Sequence, residues 1–326
     1  MHENRLLKRV DRRSIIILAL FLIGLYVILP QISGFHSSIK YLTKPDVPYL
    51  LISILLSFMT FYEAAISYTL LAIKKLNVGA TYFIQLSIMF INGLLPAGIG
   101  GLGANYSYLR HKKHTSYEAA SVVYANNALG LIGHFSLLIL VLILTPKHQI
   151  VPSLAGKIYK QLLLVVLVLV VILVAASLIY GKDKLTKFIV RAFAQVKLYR
   201  HKPFTILLTL LVQMTITITN VLSLYFATKC VHLDISFSSV FIIYTFGSSI
   251  KNATPTPGGL GGYEAGLIAA FSAYNIVFAQ SLAAILFFRF ANFWIPLTAG
   301  FVAFTVAEKK GSFSSAPVKT ATSESY

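Results

Sequence analysis

The chain has 326 residues, of which 57% are hydrophobic and 12% are charged, and its formal net charge is +18. The charged residues form short clusters between long apolar stretches, a pattern that excludes an ordinary soluble protein of this size. Because the basic residues lie at the ends of apolar segments and no recognition motif accompanies them, the charge indicates membrane topology and contact with anionic lipid rather than nucleic acid.

The long apolar segments predict an all-α polytopic membrane protein. A helix of about 20 apolar residues crosses the roughly 30 Å hydrocarbon core of a bilayer. Six segments are interpreted as full transmembrane helices, near residues 14–33, 47–73, 117–145, 159–180, 204–228 and 279–307. Basic residues precede the first segment as in a signal peptide, but no small-residue cleavage site follows, so we interpret it as an uncleaved span. Together these segments predict one integral membrane domain, 1–310, followed by a disordered cytoplasmic tail, 311–326.

Two further apolar segments are interrupted by Pro and Gly, near residues 78–109 and 237–276. The first contains Pro96, Gly98, Gly100, Gly101 and Gly103, and the second contains Pro255, Pro257, Gly258, Gly259, Gly261 and Gly262. Such runs break helices, and irregular backbone at membrane depth persists only where protein or a wet cavity covers it. We therefore predict two re-entrant broken-helix hairpins, each of which enters and leaves the membrane on the same side.

The distribution of Lys and Arg favours this arrangement. With both hairpins re-entrant, one side carries the basic cluster before residue 14, Lys74, Lys75, Arg110, Lys112, Lys113, the cluster from Lys182 to Lys202, Lys309, Lys310 and Lys319. The other side carries only Lys40, Lys44, Lys147, Lys157, Lys160 and Lys229. Since cytoplasmic loops are enriched in Lys and Arg, we expect both termini on the cytoplasmic side of the plasma membrane.

The two halves of the chain carry the same short motif. Gly-Gly-Leu-Gly occurs at 100–103 and again at 258–261, in each case after proline and before a tyrosine. Under the predicted topology the two hairpins enter from opposite sides, so the halves, about 14–145 and 159–307, are predicted inverted repeats. Inverted repeats with broken helices are an architecture of alternating-access transporters, in which substrate binds at the broken helices.

The continuous run from Pro255 to Ala265, with Arg289 and Trp294-Ile295-Pro296 in the last span, resembles the transmembrane part of the lysylphosphatidylglycerol synthase/flippase family. Residues 94–110 look like the other signature of that family, and the resemblance covers about residues 10 to 310. It implies a flippase-like lipid translocase for an anionic or aminoacylated phospholipid or a polyprenyl-phosphate carrier. The large soluble synthase domain of full-length relatives is not found, so the resemblance implies the translocating part without the synthase.

The second hairpin holds the candidate substrate-binding residues. Glycines there keep side chains away, so backbone N–H groups at the start of the second half-helix, near Gly262, can meet a phosphate. Glu264 and Arg289 are predicted to pair, because an unpaired charge at membrane depth costs at least about 2.5 to 3.5 kcal/mol. The pair has a structural interpretation, which joins the hairpin to the last span, and a functional one, a headgroup or proton-coupling site. The predicted contacts are Lys251, Asn252, Pro255, Pro257, Gly258, Gly259, Gly261, Gly262, Tyr263, Glu264 and Arg289.

The first half supplies a second set of candidates. Glu63 is the only charge in its span, and Arg110 follows the first glycine run, where a topology anchor is the alternative. The predicted contacts in this half are Glu63, Pro96, Gly100, Gly101, Gly103 and Arg110. The sequence has no metal-ligand spacing, no catalytic Ser-His-Asp arrangement and no nucleotide-binding loop, so no cofactor is expected and any driving force would be an ion or lipid gradient.

Two other functions remain open at the level of the sequence. Phosphatidylglycerol lysyltransferase activity, associated with resistance to cationic peptides, would follow the family name but needs a domain that is not found. A membrane scaffold for a separate lipid-modifying or envelope-glycan enzyme is the other alternative. The expected partners are a membrane phospholipid or polyprenyl-phosphate lipid, with no nucleic acid, and a homodimer is possible in any of the three cases.

Overall fold

The computed structural model describes residues 38–95, 98–145, 199, 202–254 and 256–313, and every regular element within them is a helix. In chain order these are α1 (Val47–Leu71), α2 (Val78–Leu94), α3 (Ile99–His111), α4 (Ser116–Leu144), α5 (Pro203–Cys230), α6 (Phe237–Ala253), α7 (Gly262–Ala273), α8 (Phe278–Arg289), a π-helical turn (Phe290–Trp294) and α9 (Ile295–Lys309). The predicted spans near 14–33 and 159–180, and the tail beyond residue 313, lie outside the described residues.

Four of these helical segments are long and apolar enough to cross a membrane. They are α1, α4, α5 and the continuous segment Phe278–Lys309, which comprises α8, the π turn and α9. Local sequence sets where they begin: proline lies in the first turn of α1 and of α5, and Thr115 and Glu118 form a capping box at the start of α4. The predicted polytopic helical membrane protein is therefore confirmed.

The two segments interrupted by glycine and proline both form antiparallel hairpins. In the first, which comprises α2 and α3, the Thr81 and Tyr108 hydroxyls are 3.0 Å apart at the open end, and Gly101 N donates to Asn92 Oδ1 near the turn. In the second, which comprises α6 and α7, Gly266 packs against Gly247, about one helix turn from the glycine run. Each hairpin therefore begins and ends at the same end of the helix bundle, as the sequence predicts.

The hairpins open toward opposite ends of the bundle because α1 and α5 run antiparallel. Ser53 contacts Ser223 and, farther along α1, Ser67 contacts Gln213. The first hairpin opens at the C-terminal end of α1, where Lys74 N donates to His114 Nε2 at 3.1 Å. The second opens at the C-terminal end of α5, beside the start of α1. This opposed arrangement is the one that inverted repeats require.

The end where the first hairpin opens is called the basic end below. Its described Lys and Arg residues are Lys74, Lys75, Arg110, Lys112, Lys113, Lys202, Lys309 and Lys310. The connections there are tied together by polar contacts: Lys74 Nζ donates to the carbonyl of Lys113, and Arg110 Nη1 donates to the carbonyl of His114 at 2.8 Å. The opposite end carries Lys40, Lys44 and Lys229 among the described residues, so the charge asymmetry predicted from the sequence follows the geometry of the bundle.

Candidate functional site

The turn of the second hairpin depends on glycine for its backbone conformation. Gly258, Gly259 and Gly261 have φ of 61°, 68° and 83°, in a region that L side chains rarely adopt. Gly259 N donates to the carbonyl of Thr256 at 3.0 Å, and the Thr256 hydroxyl donates to the carbonyl of Leu260 at 2.8 Å. These hydrogen bonds therefore satisfy part of the backbone polar groups in the turn, which lies between the end of α6 and the start of α7.

Gly258, Gly262 and Gly266 are spaced by four residues, and the last two serve close packing of helices rather than the turn conformation. A methyl group at Gly262 would collide with the side chain of Thr254. A Cβ at Gly266 would lie 2.9 Å from Ile250 Cδ1 and 3.3 Å from the Cα of Gly247. The backbones of α6 and α7 therefore touch along this stripe, as small residues permit in membrane helices. Gly262 and Gly266 therefore serve helix packing, whereas Gly258, Gly259 and Gly261 serve the turn conformation.

Glu264 and Arg289 form the ion pair predicted from the sequence. Arg289 Nε lies 2.6 Å from Glu264 Oε1, and the Arg289 side chain is only 2% exposed. The other carboxylate oxygen of Glu264 accepts a hydrogen bond from Gly261 N at 2.7 Å. One carboxylate thus joins α8 to the turn of the second hairpin and occupies the positive end of α7, where a negative charge is favoured.

Positive charge exceeds negative charge at this turn. The Lys251 ammonium lies 5.2 Å from the centroid of the Tyr263 ring, and Cζ of Arg289 lies 5.5 Å from the same centroid. Neither of the two ion pairs among the described residues includes Lys251. Arg289 Nη1 is buried without an acceptor among the described residues, and Nη2 makes a long contact of 3.4 Å to the carbonyl of Gly258. The turn therefore carries two cations, one carboxylate and one N–H donor without an acceptor. This combination is typical of a site that binds an anion.

Phe293 lies between the turns of the two hairpins. Its ring centroid is 4.2 Å from Cζ of Arg289, and a Cβ at Gly258 would lie 2.6 Å from Cζ of the ring. On the side of the first hairpin, a Cβ at Gly93 would lie 3.8 Å from the same ring. One aromatic side chain in the last span therefore contacts both broken-helix elements.

The π turn that carries Phe293 follows from a proline. Pro296 has no N–H to donate to the carbonyl of Asn292, so the regular helix cannot continue through this point. The N–H of Ile295 bonds instead to the carbonyl of Phe290, five residues earlier. Asn292 Nδ2 donates to Asn220 Oδ1 on α5 at 3.0 Å. Asn292 and Phe293 are not among the residues predicted from the sequence, although Pro296 is a signal that could have indicated them.

The turn of the first hairpin is built with amides rather than charges. Gly101 N donates to Asn92 Oδ1 at 2.6 Å, Asn105 Nδ2 donates to the carbonyl of Gly101 at 2.9 Å, and Gln85 Nε2 donates to Asn105 Oδ1 at 2.9 Å. Gly100 packs against Ile91, so it serves the close approach of α2 and α3. These amide side chains are not among the residues predicted from the sequence. Their position inside an apolar segment is the signal that could have indicated them.

The other predicted site residues are dispersed. Arg110 lies at the basic end, about 14 Å of helix from the first turn at 1.5 Å per residue, which matches the anchor interpretation. Glu63 is buried between α1 and α5 and accepts from the Thr219 hydroxyl at 2.9 Å. Asn252 and Pro257 are exposed, and Gly103 has open space where a side chain would be. Pro96 and Pro255 lie outside the described residues.

Comparison with known proteins agrees with this architecture. The chain is similar to the UPF0104 membrane protein MJ1078 of Methanocaldococcus jannaschii, with 24% identity over 227 residues, which cover 68% of this chain and 95% of that protein. A family model described as the lysylphosphatidylglycerol synthase TM region matches residues 16–300, a stretch that includes both hairpins and the Glu264–Arg289 pair. The chain is therefore a multi-pass membrane protein that belongs to the family of lysylphosphatidylglycerol synthase transmembrane regions.

Proposed function

We propose that this protein translocates a lipid whose headgroup carries a phosphate. The observation that carries the proposal is the turn of the second hairpin, where Lys251 and Arg289 face one carboxylate and Arg289 Nη1 has no acceptor. A phosphate offers several strong acceptor oxygens and suits a guanidinium with a free N–H. An anionic or aminoacylated phospholipid and a polyprenyl-phosphate carrier share this chemistry.

Binding and movement are linked through Glu264. At rest its carboxylate holds Arg289 with one oxygen and the turn backbone at Gly261 with the other. An incoming phosphate competes with Glu264 for Arg289, which loosens the joint between the last span and the second hairpin. Since differential binding alone can shift a conformational equilibrium, this exchange of partners is the step at which substrate changes the structure.

The two opposed hairpins fit alternating access across the membrane. Their turns meet at Phe293, so the headgroup has one aromatic layer to pass at mid-depth, while the acyl or prenyl chain stays in the hydrocarbon. We assign the basic end to the cytoplasm of a plasma membrane, because Lys and Arg are enriched in cytoplasmic loops. The energy source is an ion gradient or the lipid gradient itself.

Reconstituted vesicles test the proposal. Purified protein is placed in vesicles with fluorescent phosphatidylglycerol or with fluorescent glucosylceramide, whose headgroup has no phosphate, and dithionite reduces only the label in the outer leaflet. We expect the protein to expose inner-leaflet phosphatidylglycerol to dithionite. Lys251→Met should slow this exchange for phosphatidylglycerol, because the methionine keeps the apolar stem but removes the charge.

The matched control is Lys310→Met, which makes the same change at an exposed position of the basic end. It should translocate like the unchanged protein. If neither phosphatidylglycerol, its lysyl ester nor a polyprenyl phosphate becomes accessible in vesicles that contain folded protein, lipid translocation is wrong. If Lys251→Met slows glucosylceramide as much as phosphatidylglycerol, the phosphate site is wrongly placed.

A further inference from the structure

The interface of α1 and α5 carries a line of buried polar side chains through most of the membrane. On α1 these are Ser53, Ser57, Thr60, Glu63 and Ser67, and all are buried. From the first to the last the rise is about 21 Å, out of roughly 30 Å of hydrocarbon. We call these five residues, with the α5 residues that they contact, the polar seam. Serine, threonine and amide side chains at such an interface serve helix association through close packing and interhelical hydrogen bonds, but an ionisable residue at membrane depth indicates a function beyond association.

Contacts across the seam involve hydroxyl, amide and carboxyl groups. Ser53 Oγ and Ser223 Oγ are 3.0 Å apart, and each hydroxyl also reaches the other residue's carbonyl. Toward the basic end, Gln213 Nε2 donates to Ser67 Oγ at 2.9 Å and to Asn126 Oδ1 at 2.8 Å. Glu63 lies between these two clusters, so an ionisable group occupies the middle of the line.

Glu63 is the only ionisable side chain of the seam, and no cation among the described residues pairs with it. Its Oε1 accepts from the Thr219 hydroxyl at 2.9 Å, and the Thr215 hydroxyl one turn earlier also interacts with the carboxyl group. In the part of the chain that the structure describes, its Oε2 and Ser57 Oγ are both buried without a hydrogen-bond partner. A carboxylate with one unpaired oxygen at this depth would carry the full cost of an uncompensated charge. A bound proton removes that cost.

Ionisable groups on the helices packed against α1 do not change this conclusion. They are Tyr82 on α2, Tyr117, Glu118, Tyr124 and His134 on α4, Tyr225, Lys229 and Cys230 on α5, Arg289 before the π turn, and Glu308 and Lys309 on α9. Within the described chain the ion pairs are Lys229 with Asp234 and Arg289 with Glu264, so no cation pairs with Glu63.

We propose that Glu63 is a proton-binding site and that the polar seam is the path by which the proton reaches it. Transfer between hydroxyl, water and carboxyl oxygens requires no bond other than O–H to break, and the proton that leaves one oxygen is accepted by the next. The link to transport rests on the lipid translocation proposed above. Asn220 connects the two sites, since it follows Thr219 in the chain and accepts a hydrogen bond from Asn292 in the π turn.

Infrared difference spectroscopy tests the proton site without any transport. The purified protein is titrated from neutral to alkaline pH, and the carbonyl stretch of a protonated carboxyl group is followed. We expect a band that Glu63→Gln removes and that Glu63→Asp retains at a shifted position. Glu308→Gln is the matched control, because it removes an exposed carboxyl group from α9, and its spectrum should keep the band.

The coupling is tested in vesicles with and without a pH difference. We expect a pH difference to accelerate lipid movement in the unchanged protein, whereas Glu63→Gln should move lipid at the same rate with and without the pH difference. A protonated-carboxyl band that survives in Glu63→Gln would overturn the proton site. A band that depends on Glu63, together with no effect of pH difference on lipid movement, would overturn the coupling. Absence of lipid movement under every condition would instead contradict the translocase, and the spectroscopic result would stand apart from it.

Discussion

Glu264 combines two roles that usually fall to different residues. Its Oε2 accepts the N–H of Gly261 at the start of α7, and its Oε1 pairs with Arg289 of the last span. The first contact shapes the turn, and the second joins the turn to a neighbouring element. A single change of charge at this position therefore alters both local and tertiary structure.

Glu264→Gln should abolish lipid translocation, because glutamine keeps an acceptor for Gly261 but no longer offers a charge that a phosphate must displace. It also leaves Arg289 buried and unpaired, which typically costs about 3–5 kcal/mol. Folded yield by size-exclusion chromatography is therefore measured beside the dithionite assay. Arg289→Ala should abolish translocation as well, whereas Glu308→Gln should not. A Glu264→Gln protein that folds normally and moves lipid at the native rate would make the pair structural only.

His114 joins the connections at the basic end, and its contacts require one protonation state of the ring. Its ring is buried, Nε2 accepts from Lys74 N at 3.1 Å, and Nδ1 lies 3.1 Å from the carbonyl of Leu109. Nε2 can accept only when it carries no proton, so the neutral ring is the one that fits. Burial lowers the pKa of His114 below its ordinary value of 6.5.

Stability should therefore decrease as the solution becomes acidic. Between the folded-state pKa of His114 and 6.5 the unfolded chain binds more protons than the folded one, so stability is full above this window and falls as the pH decreases through it. Thermal unfolding in detergent, measured from neutral pH to about pH 5, checks this. His114→Gln should reduce the dependence, whereas the exposed His232→Asn should leave it unchanged. Equal slopes in all three proteins would contradict the assignment.

At the scale of helices, the packing around glycine differs between the two hairpins. Gly262 opens α7 against Thr254, and a methyl group there would collide with that side chain. Gly103, in α3 of the first hairpin, has no atom within 4 Å of the place where a Cβ would be. Sequence similarity between the two glycine runs therefore hides a difference in packing.

Gly262→Ala should destabilise the protein by about 1–3 kcal/mol, the usual cost of overpacking. Gly103→Ala should be neutral or stabilise by about 0.5–1 kcal/mol, since alanine favours the helix and nothing obstructs it. Unfolding by denaturant in mild detergent measures both changes. Equal losses of stability in the two variants would contradict this difference in packing.

The sequence predicted those elements whose signals are local. Proline and glycine runs marked both hairpins, and the scarcity of charge made Glu264 and Arg289 obvious partners. It did not predict that Gln85 meets Asn105, or that Ser67 meets Gln213, because such pairs depend on the register of helices far apart in the chain. The π turn was not predicted for another reason. Pro296 was interpreted as part of a family signature, and not as a residue without the N–H that the carbonyl of Asn292 would accept in a regular helix.

At the scale of the whole molecule, the opposed hairpins predict which positions each solution can reach. In a Cys230→Ser background, which removes the buried native cysteine, single cysteines at Lys112 and His232 report the two ends of the bundle. We expect position 112 to react only after the membrane is permeabilised and position 232 to react in intact cells. Labelling of position 112 from outside intact cells would contradict the re-entrant first hairpin.

The packing between halves has a consequence for how the protein is made. Among the described helices, α1 packs most extensively against α5, and α2 packs extensively against α9, so the main partners of the first half belong to the second. Until the ribosome has produced α5, the carboxyl group of Glu63 and the hydroxyl of Ser53 face lipid without their partners. The newly inserted first half therefore lacks its main packing partners, and we expect it to need protection by insertases until the second half follows. Expressed alone it should be degraded, and co-expression of residues 150–326 as a separate chain should rescue it; a stable first half alone would refute this dependence.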